Sequence, residues 1–183
     1  MRARIGMVAL VALVSGAVLG ADARQAMPAS PVLVLETAKG TIEIQLFPQE
    51  APKSVEHIVA LVRKGFYRGQ RVHRVTPGLM QFGDPATRDM SRRDTWGNGG
   101  SGKPIGVAEI SKKRAQVRGT VGLAHAGTPE YADSQLYILK TPNPGLNGKH
   151  AIVGTVVRGM EVVDKLQVAD VIKQAYLKGE GPR

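Results

Sequence analysis

The chain has 183 residues, enough for one ordinary domain, and its 43% hydrophobic and 22% charged residues match a soluble globular protein. It has no cysteine, which excludes structural disulfides, thiolate catalysis, cysteine-based zinc sites and a lipid anchor on an N-terminal cysteine. The formal charge is +10, but lysine and arginine are scattered apart from Arg92-Arg93 and Lys112-Lys113-Arg114, so no nucleic-acid partner is expected.

The first 30 residues read as an address. Met1 to Arg4 carry two positive charges, Ile5 to Gly20 form an apolar run broken only by Ser15, and Ala21-Asp22-Ala23 follows. Basic, apolar, then small-x-small is the order of a secretory signal peptide, with cleavage expected after Ala23. The run falls short of the ~20 residues that span a bilayer. An uncleaved membrane anchor is the alternative. Either way the domain is expected outside the cytoplasm, periplasmic or secreted, with no stable membrane insertion after cleavage. Residues 24–30 read as a linker, 31–178 as the domain and 179–183 as a flexible tail.

From Pro31 to Thr37 (PVLVLET) β-branched residues alternate, and from Thr41 to Phe47 (TIEIQLF) polar and apolar residues alternate strictly. Both read as strands, joined into a hairpin at Ala38-Lys39-Gly40. Between Glu50 and Lys64 the period changes: Val55, Ile58, Val59 and Val62 fall at helical spacing, with Pro52 suited to the first turn and Gly65 to the stop. A short strand is expected over Arg71 to Val75, a turn at Pro77-Gly78 and a returning strand over Leu79 to Phe82. Residues 85–106 are glycine-rich and aperiodic. Gly119 to Ala124, Ser134 to Leu139, Ala151 to Val157 and Val171 to Lys178 read as further strands, and Met160 to Gln167 as a second helix. With Gly 22 and Pro 11, many short strands and two helices predict a mainly β fold: a closed eight-stranded antiparallel barrel capped by two α-helices.

Several tempting sites fail on chemistry. Gly97 to Gly102 (GNGGSG) is followed by neither Gly-Lys-Ser/Thr nor a helix start, so it reads as a flexible loop rather than a phosphate cradle. Ser134 has no evident base and no nucleophile-elbow context. The four histidines, His57, His73, His125 and His150, lack ligand spacing, so neither a metal nor any cofactor is expected.

Five segments in order resemble the cyclophilin family: ETAKGTIEIQLFPQEAPKSVEHIVALVRKGFYRG (36–69), VHRVTPGLMQFGDP (72–85), GTVGLAHAG (119–127), SQLYIL (134–139) and LNGKHAIVGTVVRGMEVVDKL (146–166). The resemblance covers nearly all of residues 32–178 and implies an eight-stranded barrel with the active groove on its outer face. Residue by residue, it makes Arg74 the catalytic arginine, with His73, expected to be a buried hydrogen-bonded histidine, before it. Gln81 contacts the substrate backbone, and the backbone of Ala124 and His125 holds the residue before proline. Gln135 is a groove glutamine, Tyr137 an aromatic of the proline pocket, and Leu146 and His150 are further pocket residues. Leu79 or Met80 takes the place of the pocket methionine. The stretch from Arg74 to Gln81 is one residue shorter than in the family, one residue is added between Gly127 and Ser134, and His125 replaces a common asparagine. Gly145 stands where many members carry the tryptophan important for cyclosporin, and Val153 replaces a loop phenylalanine. Weak cyclosporin binding and modest catalysis are therefore expected.

The implied activity is peptidyl-prolyl cis–trans isomerisation of unfolded or flexible proline-containing polypeptides, by a monomer. Amide resonance sets a barrier of about 18–20 kcal/mol. A hydrogen bond to the prolyl nitrogen ties up the lone pair that resonance needs. Arginine suits the task because it is always charged and presents several donors in a rigid fork. The contact strengthens as the nitrogen becomes pyramidal, so it favours the transition state. Lowering the barrier by about 7 kcal/mol gives roughly 10⁵-fold acceleration. The competing readings are a proline-peptide-binding or chaperone module with little turnover, and a basic surface protein that binds anionic polymers.

Overall fold

A computed structural model of the chain describes residues 30–182. The expected leader over 1–23 and all of the expected linker except Ser30 lie outside the described residues.

Strands β1 (Val32–Thr37) and β2 (Gly40–Leu46) form the opening hairpin, in register from Val32 opposite Gln45 to Thr37 opposite Gly40. Alternation puts Leu33 and Leu35 from one strand and Ile42, Ile44 and Leu46 from the other into the core. Gly40 has φ 134°, and a Cβ there would stand 2.7 Å from Val162 Cγ2, so the turn needs glycine both for its backbone and for the close approach of the second helix.

Helix α1 (Pro52–Arg63) starts at the proline and buries Val55, Ile58, Val59 and Val62, the four positions its period marked, together with Leu61. Its first turn has no side-chain cap of its own. Glu109 supplies one from a distant loop, accepting from the backbone N–H groups of Lys53 at 3.0 Å and Ser54 at 2.8 Å. A carboxylate on unpaired N–H groups at a helix start is favoured by both hydrogen bonding and the helix dipole.

The remaining elements are β3 (Arg74–Val75), β4 (Leu79–Phe82), β5 (Thr120–Leu123), β6 (Leu136–Leu139), β7 (Ile152–Arg158), α2 (Met160–Lys165) and β8 (Ile172–Leu177). All eight strands join one antiparallel sheet in the order β3-β4-β6-β5-β7-β2-β1-β8, curled around the core. The seam between the two ends is closed without a full ladder. An isolated bridge pairs Arg71 with Val171, and backbone bonds run from Gly69 to Ile172 and from Val72 to Asp170. Because Val72 spends both backbone groups on this seam and Arg71 N–H donates to Thr87 Oγ1, the strand expected over 71–75 shrinks to Arg74–Val75.

The stretch expected to be aperiodic contains two 3-10 turns, Pro85–Arg88 and Met90–Thr95, opened by the Asp84 and Asp89 side chains on Ala86 and Ser91 N–H at 2.8 and 2.9 Å. Such short turns leave no hydrophobic period to read. The loop of residues 97–102, expected to be flexible, is pinned on both sides. Asp84, fully buried, accepts from Gly97 N–H at 2.7 Å and Gly99 N–H at 3.2 Å. Asp133 accepts from Ser101 Oγ at 2.5 Å and Gly102 N–H at 2.9 Å, and its Oδ1 lies 3.0 Å from His57 Nε2 on α1. A Cβ on Gly99 would fall 2.4 Å from Asp84 Oδ1, so only glycine lets the loop come this near. Within the expected tail, Glu180 pairs with Arg63 of α1 at 2.6 Å.

Two outcomes follow for stability. Glu109→Ala is expected to lower it by about 1 kcal/mol, the usual worth of a helix cap, which is a fall of roughly 2–4 °C in Tm at this chain length; Glu109→Gln should lose less in the same thermal melt. Burial works to raise the Asp133 pKa, but hydrogen bonds from His57, Ser101 and Gly102 hold it below the ordinary carboxylate value. That stabilisation is present above the ordinary value and is lost as pH falls through the lowered one. Urea midpoints from pH 7 to pH 3 should fall less steeply for Asp133→Asn than for the native chain.

Candidate active site

The outer face of β3, β4 and β6 carries the residues expected to act. On β3, Arg74 is exposed and stands opposite Gln81 of β4, which in turn stands opposite Tyr137 of β6. A line of hydrogen bonds crosses these strands. Arg74 Nη1 donates to Gln81 Oε1 at 3.5 Å, and Gln81 Nε2 donates to Gln135 Oε1 at 2.7 Å. Gln135 Nε2 donates to the Gly97 and Gly99 carbonyls at 2.7 and 2.8 Å. The first contact is long, so the guanidinium is guided but keeps donors for another acceptor.

Strand alternation separates the two candidates for the pocket methionine. Leu79 and Gln81 are half-buried on the outer face, whereas Met80 and Phe82 are both 0% exposed and belong to the core. Met80 is therefore corrected from a groove residue to a core residue, paired with Ile138 across β6. Of the two, only Leu79 faces outward.

Tyr137 is only 3% exposed. It crosses the bare backbone of Gly122, where a Cβ would lie 2.2 Å from its hydroxyl, and donates to Gln116 Oε1 at 3.0 Å. Burial pushes the hydroxyl up to about 12, so it stays protonated at neutral pH. Its ring supports His150 edge-on, with centroids 5.7 Å apart and planes at 90°. Tyr137 thus forms the floor under His150 and offers little surface of its own.

His150 lies face to face with His125, with ring centroids 4.2 Å apart and planes 30° from parallel. His150 Nδ1 sits 3.1 Å from the Leu123 carbonyl, and His125 Nε2 sits 3.0 Å from the Lys149 carbonyl. A carbonyl only accepts, so each of these ring nitrogens carries a proton. Burial holds His150 below the ordinary histidine pKa, helped by His125 and Lys149 and opposed by the bond to Leu123. Leu146 is half-buried in the 3-10 turn Pro144–Leu146 that leads to His150.

His73 is half-buried behind the site, with its ring 3.2 Å from where a Gly97 Cβ would stand. Burial lowers its pKa, opposed by the Asp84 charge and by the nearby Gln135 amide. It was expected to be hydrogen-bonded, yet both ring nitrogens lack a partner among the described residues. Gln135 has already spent its two donors on Gly97 and Gly99. His73 therefore packs rather than tethers.

Beside these groups lies an open cleft of about 670 Å³. It is lined by Gln81, Gln135, Ala124, His125, Gly97 to Gly100, Asp133 and Tyr131. Ala124 is tied back to β6 by its N–H on the Gln135 carbonyl at 2.9 Å. Tyr131 is 69% exposed at the rim, in the segment with the added residue. Sequence reading missed Tyr131, Asp84 and Asp133. Asp84 had a local sign, an Asp-Pro pair directly after a strand; Tyr131 had none. Among the described residues no group of three or more His, Asp or Glu side chains could hold a metal, and no helix is long and apolar enough to cross a membrane. The arrangement offers a cationic donor beside a polypeptide-sized cleft, with no activated nucleophile.

Known proteins carry the same frame. Residues 32–179 match the family model described as cyclophilin type peptidyl-prolyl cis-trans isomerase/CLD. The chain is 42% identical over 170 residues to a probable peptidyl-prolyl cis-trans isomerase of Brucella suis, covering 91% of this chain and 85% of that one. It is 34% identical over 139 residues to peptidyl-prolyl cis-trans isomerase B of Bacillus subtilis, covering 75% and 91%. The crystal structure of a cyclophilin-type isomerase of Cryptosporidium parvum superposes with a TM-score of 0.70 at 23% identity, covering 81% of this chain and 97% of that one, a likeness of fold. With the curled eight-stranded sheet and the Arg74–Gln81–Gln135 line already in place, the chain belongs to the family of cyclophilin-type peptidyl-prolyl cis-trans isomerases.

Proposed function

We propose that this isomerase accelerates X–Pro rotation in exported proteins, with Arg74 donating a hydrogen bond to the prolyl nitrogen. The observation that carries the reading is the line from the glycine loop through Gln135 and Gln81 to an exposed Arg74, beside a cleft large enough for a polypeptide. Leu79, Leu146 and His150 stand where an apolar ring would rest against the outer face. Gln81, Gln135 and the backbone of Ala124 and His125 hold the flanking peptide while the other side of the bond turns. Uncatalysed, that rotation takes tens to hundreds of seconds. The C. parvum relative has also been solved in the presence of the dipeptide Ala-Pro, which supports a proline-containing peptide as ligand here. The basic, apolar, small-x-small order of residues 1–23 supports export. The apolar residues of α1 and α2 are packed into the chain's own core, in keeping with a monomer.

Four outcomes test this. Exchange NMR on a short X–Pro peptide should show catalysis by the native protein. Arg74→Ala should cut kcat/KM by about 10²–10³-fold, as for loss of one preorganised donor, while peptide binding persists. A native protein that binds the peptide yet leaves it at the uncatalysed rate would favour the binding module. Gln135→Leu frees the glycine loop from Gln81 and should lower kcat/KM by about tenfold, because small displacements of a positioned group are costly. Mass spectrometry of the exported protein should find a chain starting at Arg24; retention of residues 1–23 would mean a membrane anchor.

A further inference from the structure

We propose that the side chain of His125 is a positioning residue of this site: stacked on His150 and tied to the Lys149 carbonyl, it fixes the turn that walls the place of the proline ring. The inference rests on the isomerase reading above.

The turn has little structure of its own. Between β6 and β7 it holds one 3-10 turn, Pro144–Leu146, and Asn147, Gly148 and Lys149 are all exposed. Its end is held by tethers to other parts of the chain. The Asn147 side chain accepts from Gln116 N–H at 2.8 Å, His125 Nε2 meets the Lys149 carbonyl at 3.0 Å, and His150 Nδ1 meets the Leu123 carbonyl at 3.1 Å. His125 is unlike the other two because it grips the turn twice, through the Lys149 carbonyl and through the ring of the next residue. His125 also lines the cleft, which no residue of the turn does.

Charge sets the state in which the stack works. Each ring turns a proton-bearing nitrogen to a carbonyl, and His125 Nδ1 is buried without a partner among the described residues. The groups facing His150 are the His125 ring from the segment after β5, the Lys149 ammonium from the turn and the Tyr137 hydroxyl-bearing ring from β6. A proton on His150 would be buried between a second imidazole and a lysine, and it would place charge where an apolar ring must dock. His125 therefore also keeps His150 neutral: its ring covers the His150 ring and shields an added proton from water. Removing it should let His150 take up a proton at higher pH.

The test uses His125→Ala and His125→Phe beside the native protein, followed by exchange NMR with an X–Pro peptide and by the pH titration of the His150 ring resonances. His125→Ala should raise KM about fivefold, the worth of one hydrogen bond or one ring pair, with kcat within about twofold, since Arg74 is untouched. His125→Phe keeps the stack without the tie and should fall between. The His150 titration should move to higher pH in His125→Ala and less in His125→Phe. An unchanged KM in His125→Ala, or a His150 titration that does not move, would overturn the proposal. If the native protein shows no turnover, the isomerase reading fails separately, and the His150 titration with the peptide Kd still decides the role of His125.

Discussion

A carboxylate taken out of water must find donors, and Asp84 finds them in the backbone of a loop. Its side chain is fully buried and accepts from Ala86, Gly97 and Gly99 N–H. Meeting that demand draws the loop in until its carbonyls face Gln135, which holds Gln81, which in turn guides Arg74. Asp133 secures the far end of the same loop through Ser101, Gly102 and His57. The position of the Arg74 guanidinium thus follows from satisfying two carboxylates, Asp84 and Asp133.

The sheet makes this possible by giving each strand two jobs. On β6, Leu136 and Ile138 fill the core while Tyr137, and Gln135 just before the strand, serve the outer face. On β4, Met80 and Phe82 face inward and Leu79 and Gln81 outward. Gln81 and Tyr137 are thus each flanked by a core residue on either side, the rigidity that positioning requires. Closing the seam by a short segment rather than a full ladder leaves β3 only two residues long, with Arg74 at its start, next to open solvent.

Much of this was legible in the residues. Strict alternation located β2, and helical spacing located α1 with four of its buried positions, because burial on one side imprints a period. The ordered motifs located Arg74, Gln81 and Gln135. The choice between Leu79 and Met80 was not legible, because the shortened segment left the register open and a slip of one residue reverses every side chain. The partners of the glycine loop were hidden too, since Asp133 lies more than thirty residues beyond it in the chain. The helix cap from Glu109 was hidden for the same reason, being supplied from 55 residues away.

By itself, then, the sequence determined the eight strands, the two helices and the family, because each rests on a local period or a contiguous motif. Tertiary structure alone decided which apolar residue of β4 faces the groove, that Tyr137 is a floor and not a wall, that the glycine loop is pinned, and that His125 stacks on His150. Each of these depends on which side of a curled sheet a residue falls and on contacts closed across long loops, and no local pattern of residues encodes either.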